Sequence, residues 1–227
     1  MRLAFCFSLI VIGNLSAQEI PLGTWRTHFS YNEIRRIEAG ENQVFAAASS
    51  GMFIYSLNDN SITTVTRLNG LQEENISALH FSESATLLIG HQSGNLDVLR
   101  SNEILNIDLT TDSQVSGSKS INNILSSNDG IYLFTDFGLL RMDPETYAIT
   151  ETVREIVLDN DGIKVYQGAI LEDSLVIDTD DGILATDIVH NINLADRLGW
   201  KLFGVADTLF NEQFEFIINS RNRLLAG

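Results

Sequence analysis

The sequence predicts an all-β protein, a β-propeller of four-stranded blades, on three observations. Glycines recur at Gly51, Gly94, Gly138 and Gly182, spaced by 43, 44 and 44 residues. An apolar pair precedes each at a fixed distance: Val44-Phe45, Leu87-Leu88, Ile131-Tyr132 and Leu175-Val176. The runs between turns are short, rich in Val, Ile, Tyr and Phe, and bounded by Gly, Asn, Asp and Ser, which favours strands over helices. A fixed period in the forties with several such strands per unit is the signature of propeller blades. A β-sandwich would space its turns irregularly. Glycine holds the second turn because a tight hairpin there needs positive φ, which costs a residue with a side chain.

Taken in order, residues 1–17 read as a secretory signal peptide. Arg2 supplies the positive start, Leu3 to Ile12 the apolar core, and Leu15-Ser16-Ala17 the cleavage site before Gln18. The apolar run is too short to span a bilayer, and no later segment reads as transmembrane. The propeller is expected over residues 18–227 and to be incomplete at its C-terminus. Pro21 to Tyr31 alternates like a strand from Thr24 to Phe29, and Leu198-Gly199-Trp200-Lys201 echoes Gly23-Thr24-Trp25-Arg26. Trp25 is therefore expected on an outer strand given to the last blade, closing the ring and removing an exposed edge.

Strand openers are expected at Ile34, Ile76, Ile121 and Ile163. Blade one covers Ile34 to about Arg67, with Ile62 to Val65 as its fourth strand after the Asn58-Asp59-Asn60 turn. Blade two covers Ile76 to about Leu109, with Ile104 to Ile107 outermost. Blade three covers Ile121 to about Val153 and turns at Asp143-Pro144-Glu145, where proline presets the turn. Blade four covers Ile163 to about Lys201, and His190 to Leu198 is a helical or irregular insert. A fifth blade starts near Phe214 to Ile218, and its second strand is under way at Leu224 to Gly227. Four complete blades and the start of a fifth are thus expected, as the front part of a longer protein.

The formal charge of −16 and the lack of a dense basic stretch disfavour nucleic acid or an anionic membrane surface as general partners. Cys6 leaves with the leader, so the mature chain has no thiol chemistry. His28, His80, His91 and His190 share no metal-ligand spacing. Asp159-Asn160-Asp161-Gly162 and Asp178-Thr179-Asp180-Asp181-Gly182 resemble the opening of calcium loops. Gly168 and Ile188 stand where the terminal acidic ligand is needed, and Asp, Asn and Gly are also common turn formers, so turns are preferred. Tyr132, Phe134 and Phe137 fit packing between blades better than a carbohydrate-binding face. No nucleophile elbow, phosphate-cradling glycine loop or HExxH occurs. No catalytic, cofactor-binding or metal residue is assigned, and an enzyme is not expected.

The run Asn69-Gly70-Leu71, Ile76-Ser77-Ala78-Leu79, Leu87-Leu88-Ile89-Gly90 and Ser93-Gly94-Asn95-Leu96 resembles the repeat of two-component-regulator propellers, with Leu88 in place of the usual tryptophan. The order of an exported leader, then Gly23 to Asn32, then degenerate blades of this kind resembles the N-terminal propeller family of PorZ, over Gln18 to Gly227. That resemblance implies a non-enzymatic scaffold at the cell surface, associated with the outer membrane, in the attachment complex of type IX secretion. The implied partners are the sortase PorU and anionic lipopolysaccharide, the latter through regions absent here. With a charge of −16, like charges repel over about 8–10 Å at physiological salt, so only Arg35-Arg36, a bridging cation or an absent domain could hold that glycolipid. The alternative is the periplasmic, glycan-sensing propeller of a hybrid two-component regulator.

Overall fold

The computed structural model describes residues 33–82, 84–101, 103–109, 117–156, 162–190, 193–202, 217–220 and 223–226. The leader, Trp25, His28, Asp159 to Asp161, Phe214 to Phe216 and Gly227 lie outside the described residues.

Four antiparallel four-stranded sheets follow one another, each strand pairing with the next in sequence. The first holds β1 (Ile34–Ala39), β2 (Gln43–Ala48), β3 (Gly51–Ser56) and β4 (Ile62–Val65). The second holds β5 (Ile76–Phe81), β6 (Leu87–His91), β7 (Asn95–Arg100) and β8 (Glu103–Asp108). The third holds β9 (Ile121–Ser127), β10 (Gly130–Thr135), β11 (Gly138–Met142) and β12 (Ile149–Val153). The fourth holds β13 (Val165–Leu171), β14 (Ser174–Thr179), β15 (Gly182–Asp187) and β16 (Trp200–Leu202). A fifth sheet is formed by β17 (Ile217–Asn219) and β18 (Leu224–Ala226). First strands neighbour first strands in succession, β1 beside β5, β5 beside β9, β9 beside β13 and β13 beside β17, which is the radial order of a propeller.

The aligned glycines all have positive φ: 149° at Gly51, 92° at Gly94, 129° at Gly138 and 107° at Gly182. At Gly138 space adds a second demand, because a Cβ there would lie 2.2 Å from the Val153 carbonyl oxygen. The turn is reinforced alike in two blades. Thr135 Oγ1 donates to the Gly138 carbonyl at 2.7 Å and accepts the Phe137 N–H, and Thr179 Oγ1 does the same toward Gly182 (2.6 Å) and Asp181.

The second strand of each blade is the most enclosed. Every residue of β6 and β10 is buried, whereas the outer strand β8 is mostly exposed. Alternate residues of a strand face opposite ways, and in a blade each way lies a neighbour. Leu87 and Ile89 join Phe45, Met52 and Val65 in the core shared with blade one. Leu88, between them, joins Ile131, Leu133 and Met142 in the core shared with blade three. Tyr132 and Phe134 turn to Leu175 and Ile177 of blade four, and Val176 turns to Ile217 of the fifth sheet. A fully buried side chain of this size contributes about 1.5–3 kcal/mol, so these seams hold the array.

The first strand of each four-stranded blade carries one extra residue near its start, opposite the end of the second strand. The register shifts between Ile34 and Arg36, Ile76 and Ala78, Val165 and Gln167, and opposite Phe134 and Thr135, leaving Arg35, Ser77, Asn122 and Tyr166 unpaired. Such bulges bend a strand and sharpen its twist.

The expected strand openers hold at Ile34, Ile76 and Ile121 but not at Ile163. The Ile163 N–H is committed to the Arg154 carbonyl at 2.9 Å, a loop bond, and the strand begins at Val165. The expected insert before Trp200 contains a short 3₁₀ turn at Arg197–Gly199, capped by Asp196. Trp200 opens β16, and its indole N–H donates to the Leu194 carbonyl at 2.8 Å.

Candidate functional site

First strands of neighbouring blades do not pair through their backbones, so polar side chains tie them. Glu38 on β1 accepts the Phe81 N–H at 2.9 Å. His80 on β5 reaches Ser126 on β9, with Nε2 2.7 Å from the hydroxyl oxygen. Asn122 on β9 donates to the Val165 carbonyl at 2.9 Å. Gln167 on β13 accepts the Ile217 N–H at 3.0 Å, and Asn219 donates back to the Ile170 carbonyl at 2.7 Å. At least one tie is thus supplied across every described junction.

His80 is the branch point of this row. The Ser126 N–H also donates into Nε2, at 3.2 Å, so that nitrogen offers a lone pair and the imidazole is neutral. Burial pushes the His80 pKa down, in the same direction. Nδ1 lies 3.8 Å from Glu38 Oε1, and burial raises the Glu38 pKa.

The tie at Ser126 opens onto a cleft of about 560 Å³ over the β5–β6 and β9–β10 turns. Ser82, Ser84, Thr86, Ser126, Ser127 and Asn128 supply its polar wall, and Leu88, Ile131 and Ile170 its apolar floor. Tyr147 and Pro144 come from the β11–β12 turn and Asn219 from β17. Asp143, expected in that turn, shapes it by accepting from the N–H groups of Glu145 and Thr146 at 3.0 and 2.8 Å. These bonds hold its pKa below the usual carboxylate range. Tyr147, four residues on, has φ of 57°.

A second polar cluster centres on the buried Asp97 of blade two. Asp97 accepts from His91 Nε2–H at 2.9 Å, Asn106 Nδ2–H at 2.9 Å and the Gln72 N–H at 3.0 Å. Burial alone would raise its pKa, but these bonds outweigh burial and lower it. Asp97 and His91 are fully buried while Asn106 and Gln72 lie at the surface, so the cluster ties blade two together around a carboxylate already occupied by three hydrogen bonds.

The other residues singled out by sequence are dispersed. His190 is exposed and pairs with Asp187 at 2.8 Å. Asp178 and Thr179 close β14, Asp178 is buried, and Asp180 accepts the Lys164 N–H at 3.0 Å, so this run is built as a hairpin turn. Among the described residues no three His, Cys, Asp or Glu side chains gather as metal ligands. Tyr132, Phe134 and Phe137 are core. Arg35 and Arg36 lie exposed on β1, with Arg35 3.6 Å from Glu33. Sequence reading missed the Glu38–His80–Ser126 row and the hydroxyl wall. Ser82-Glu83-Ser84 and Ser126-Ser127-Asn128 are ordinary turn sequences, and only the radial order sets them side by side.

The family model for the N-terminal β-propeller domain of PorZ, a type IX secretion component, matches residues 44–201. Among solved structures, PorZ of Porphyromonas gingivalis, described as an essential surface component of the type IX secretion system, is 22% identical. It superposes with a TM-score of 0.69, covering 82% of this chain and 24% of that one. The extracellular domain of the hybrid two-component system BT3049 of B. thetaiotaomicron is 16% identical, with a TM-score of 0.61 and the same coverages. That of BT4673 from the same organism, described as a one-component system, is 17% identical, with a TM-score of 0.57 over 71% of this chain and 22% of that one. At these identities the likeness is one of fold. The chain spans about a quarter of the length of these structures. Among curated proteins none matches it in sequence.

Proposed function

The chain belongs to the family of PorZ N-terminal β-propeller domains, and from that premise we propose that it is a non-enzymatic scaffold and binding propeller of an exported type IX secretion component at the cell surface. In this reading it supports the attachment complex, in which anionic lipopolysaccharide reaches the sortase PorU and is joined to secreted cargo. The carrying observation is the family match, which runs from the second strand of blade one to the outer strand of blade four. The proteins of similar fold are described as a surface component and as extracellular domains, in keeping with an exported chain. Among the described residues no helix is long and apolar enough to cross a membrane.

Deleting the gene in its host tests this reading. Secreted cargo should lose its lipopolysaccharide modification and leave the cell surface, and complementation should restore both. Cargo still modified and anchored in the deletion strain would overturn it. The N-terminus of the exported protein should be Gln18, as read by mass spectrometry. The alternative, a periplasmic glycan-sensing propeller of a hybrid two-component regulator, draws on the fold likeness to BT3049. It predicts a kinase domain encoded in the same gene and a change in transcription, not in cargo attachment, on deletion.

A further inference from the structure

We propose that the cleft over the β5–β6 and β9–β10 turns binds an uncharged pyranose residue of a glycan. The inference rests on the surface-glycan reading only for the source of that sugar, while the site itself rests on geometry. At about 560 Å³ the cleft falls within the roughly 300–1,000 Å³ typical of small-molecule sites. A pyranose presents an apolar C–H face and a rim of hydroxyls. Here the apolar floor is offered by the half-buried Ile170, with Ile131 and Leu88 buried behind it, and the wall is made of hydroxyls and amides.

The hydrogen-bonding state of the wall is specific. Because His80 Nε2 accepts the Ser126 N–H, the Ser126 O–H turns toward the same lone pair, and its oxygen is left to accept from the cleft. Asn219 spends its N–H on the Ile170 carbonyl, which leaves its Oδ1 as an acceptor. Asn128 is exposed, and neither its amide nor the Tyr147 phenol has a hydrogen-bond partner among the described residues. Acceptors at Ser126 and Asn219, with donor–acceptor groups at Asn128 and Tyr147, match vicinal hydroxyls. The tyrosine ring adds an amphipathic face at the rim.

Charge fixes the class of sugar. No Asp, Glu, Lys or Arg lines the cleft among the described residues, and the nearest carboxylate, Asp129, stands behind the wall, where it accepts from the hydroxyl of cleft-lining Ser127 and from the Tyr132 hydroxyl at 2.5 Å. An acidic sugar would find no cation here and would face a chain of net charge −16.

The test is an amide-resolved NMR titration of the full chain with mannotriose, maltotriose and N-acetylchitotriose, against trigalacturonic acid as the charged control. At least one neutral trisaccharide should give saturable shifts centred on residues 126–128, 147 and 219, and the acid should bind at least tenfold more weakly. Asn128→Ala and Tyr147→Ala should each weaken that binding about tenfold with the folded spectrum retained, and Tyr147→Phe serves as the milder variant should the alanine perturb the turn. No saturable shift with any neutral sugar, shifts centred elsewhere, or equal or tighter binding of the acid would overturn the site. Loss of cargo attachment on deletion together with absence of sugar binding would overturn the cleft and leave the proposed function standing. Sugar binding with intact attachment would do the reverse.

Discussion

His91 donates its Nε2–H to Asp97 at 2.9 Å, with neither side chain exposed to solvent. The same carboxylate takes Asn106 and the Gln72 N–H, so one residue joins the second, third and fourth strands of blade two to the loop that enters it. Removing one partner of a buried pair leaves the other uncompensated. Asp97→Ala is therefore expected to cost about 3–5 kcal/mol in urea unfolding. A change under roughly 0.5 kcal/mol, the level of a surface substitution, would show that the cluster carries no weight.

Acid should weaken the fold in two windows. Burial holds His80 below its ordinary 6.5, so its contribution is present above that value and fades as pH falls through the lowered folded value. Asp97 lies below its ordinary 3.8, so its contribution persists above that value and is lost on further acidification. Glu38, raised by burial, works in the opposite sense, favouring the fold below its ordinary 4.5. Melting temperatures from pH 8 to 3 should show the upper decline in the parent and not in His80→Gln. An identical decline in both would remove His80 as its origin.

Gly138→Val and Gly94→Val are expected to destabilise by about 1–3 kcal/mol through backbone geometry closed to a branched residue. The Val153 carbonyl makes the first the worse of the two. Thermal unfolding checks both, and unchanged midpoints would contradict the hairpin assignment.

Leu88 is fully buried on the side of blade three. Leu88→Ala should cost roughly 2–5 kcal/mol by leaving a cavity in that seam. Equilibrium denaturation measures it, and a value like that of exposed Leu68→Ala would place the side chain outside the core.

Strands and turns were legible because their chemistry is local. Glycine at Gly51, Gly94, Gly138 and Gly182 is demanded by φ, and Asp143 or Asn60 by the turns they close. Short apolar runs such as Leu87-Leu88 and Ile131-Tyr132 announced the buried strands, although the run alone does not say which neighbour Leu88 or Tyr132 meets. The bulges were not legible. Arg35, Ser77, Asn122 and Tyr166 share no chemistry, because a bulge asks only for an extra residue. The cleft was hidden for a related reason. Ser84, Ser126 and Asn219 lie far apart in sequence, and each has a sufficient local explanation in its own turn or strand.

The two-faced second strands give every inward residue an address written in odd and even numbers. A single insertion inside Leu87–His91 would exchange the surfaces offered to the blades on either side at once, spoiling two joints with one error. Material added beyond an outer strand disturbs neither address. The rim and the crossings between wedges are therefore the places where length can change without moving an inward side chain from one seam to the other.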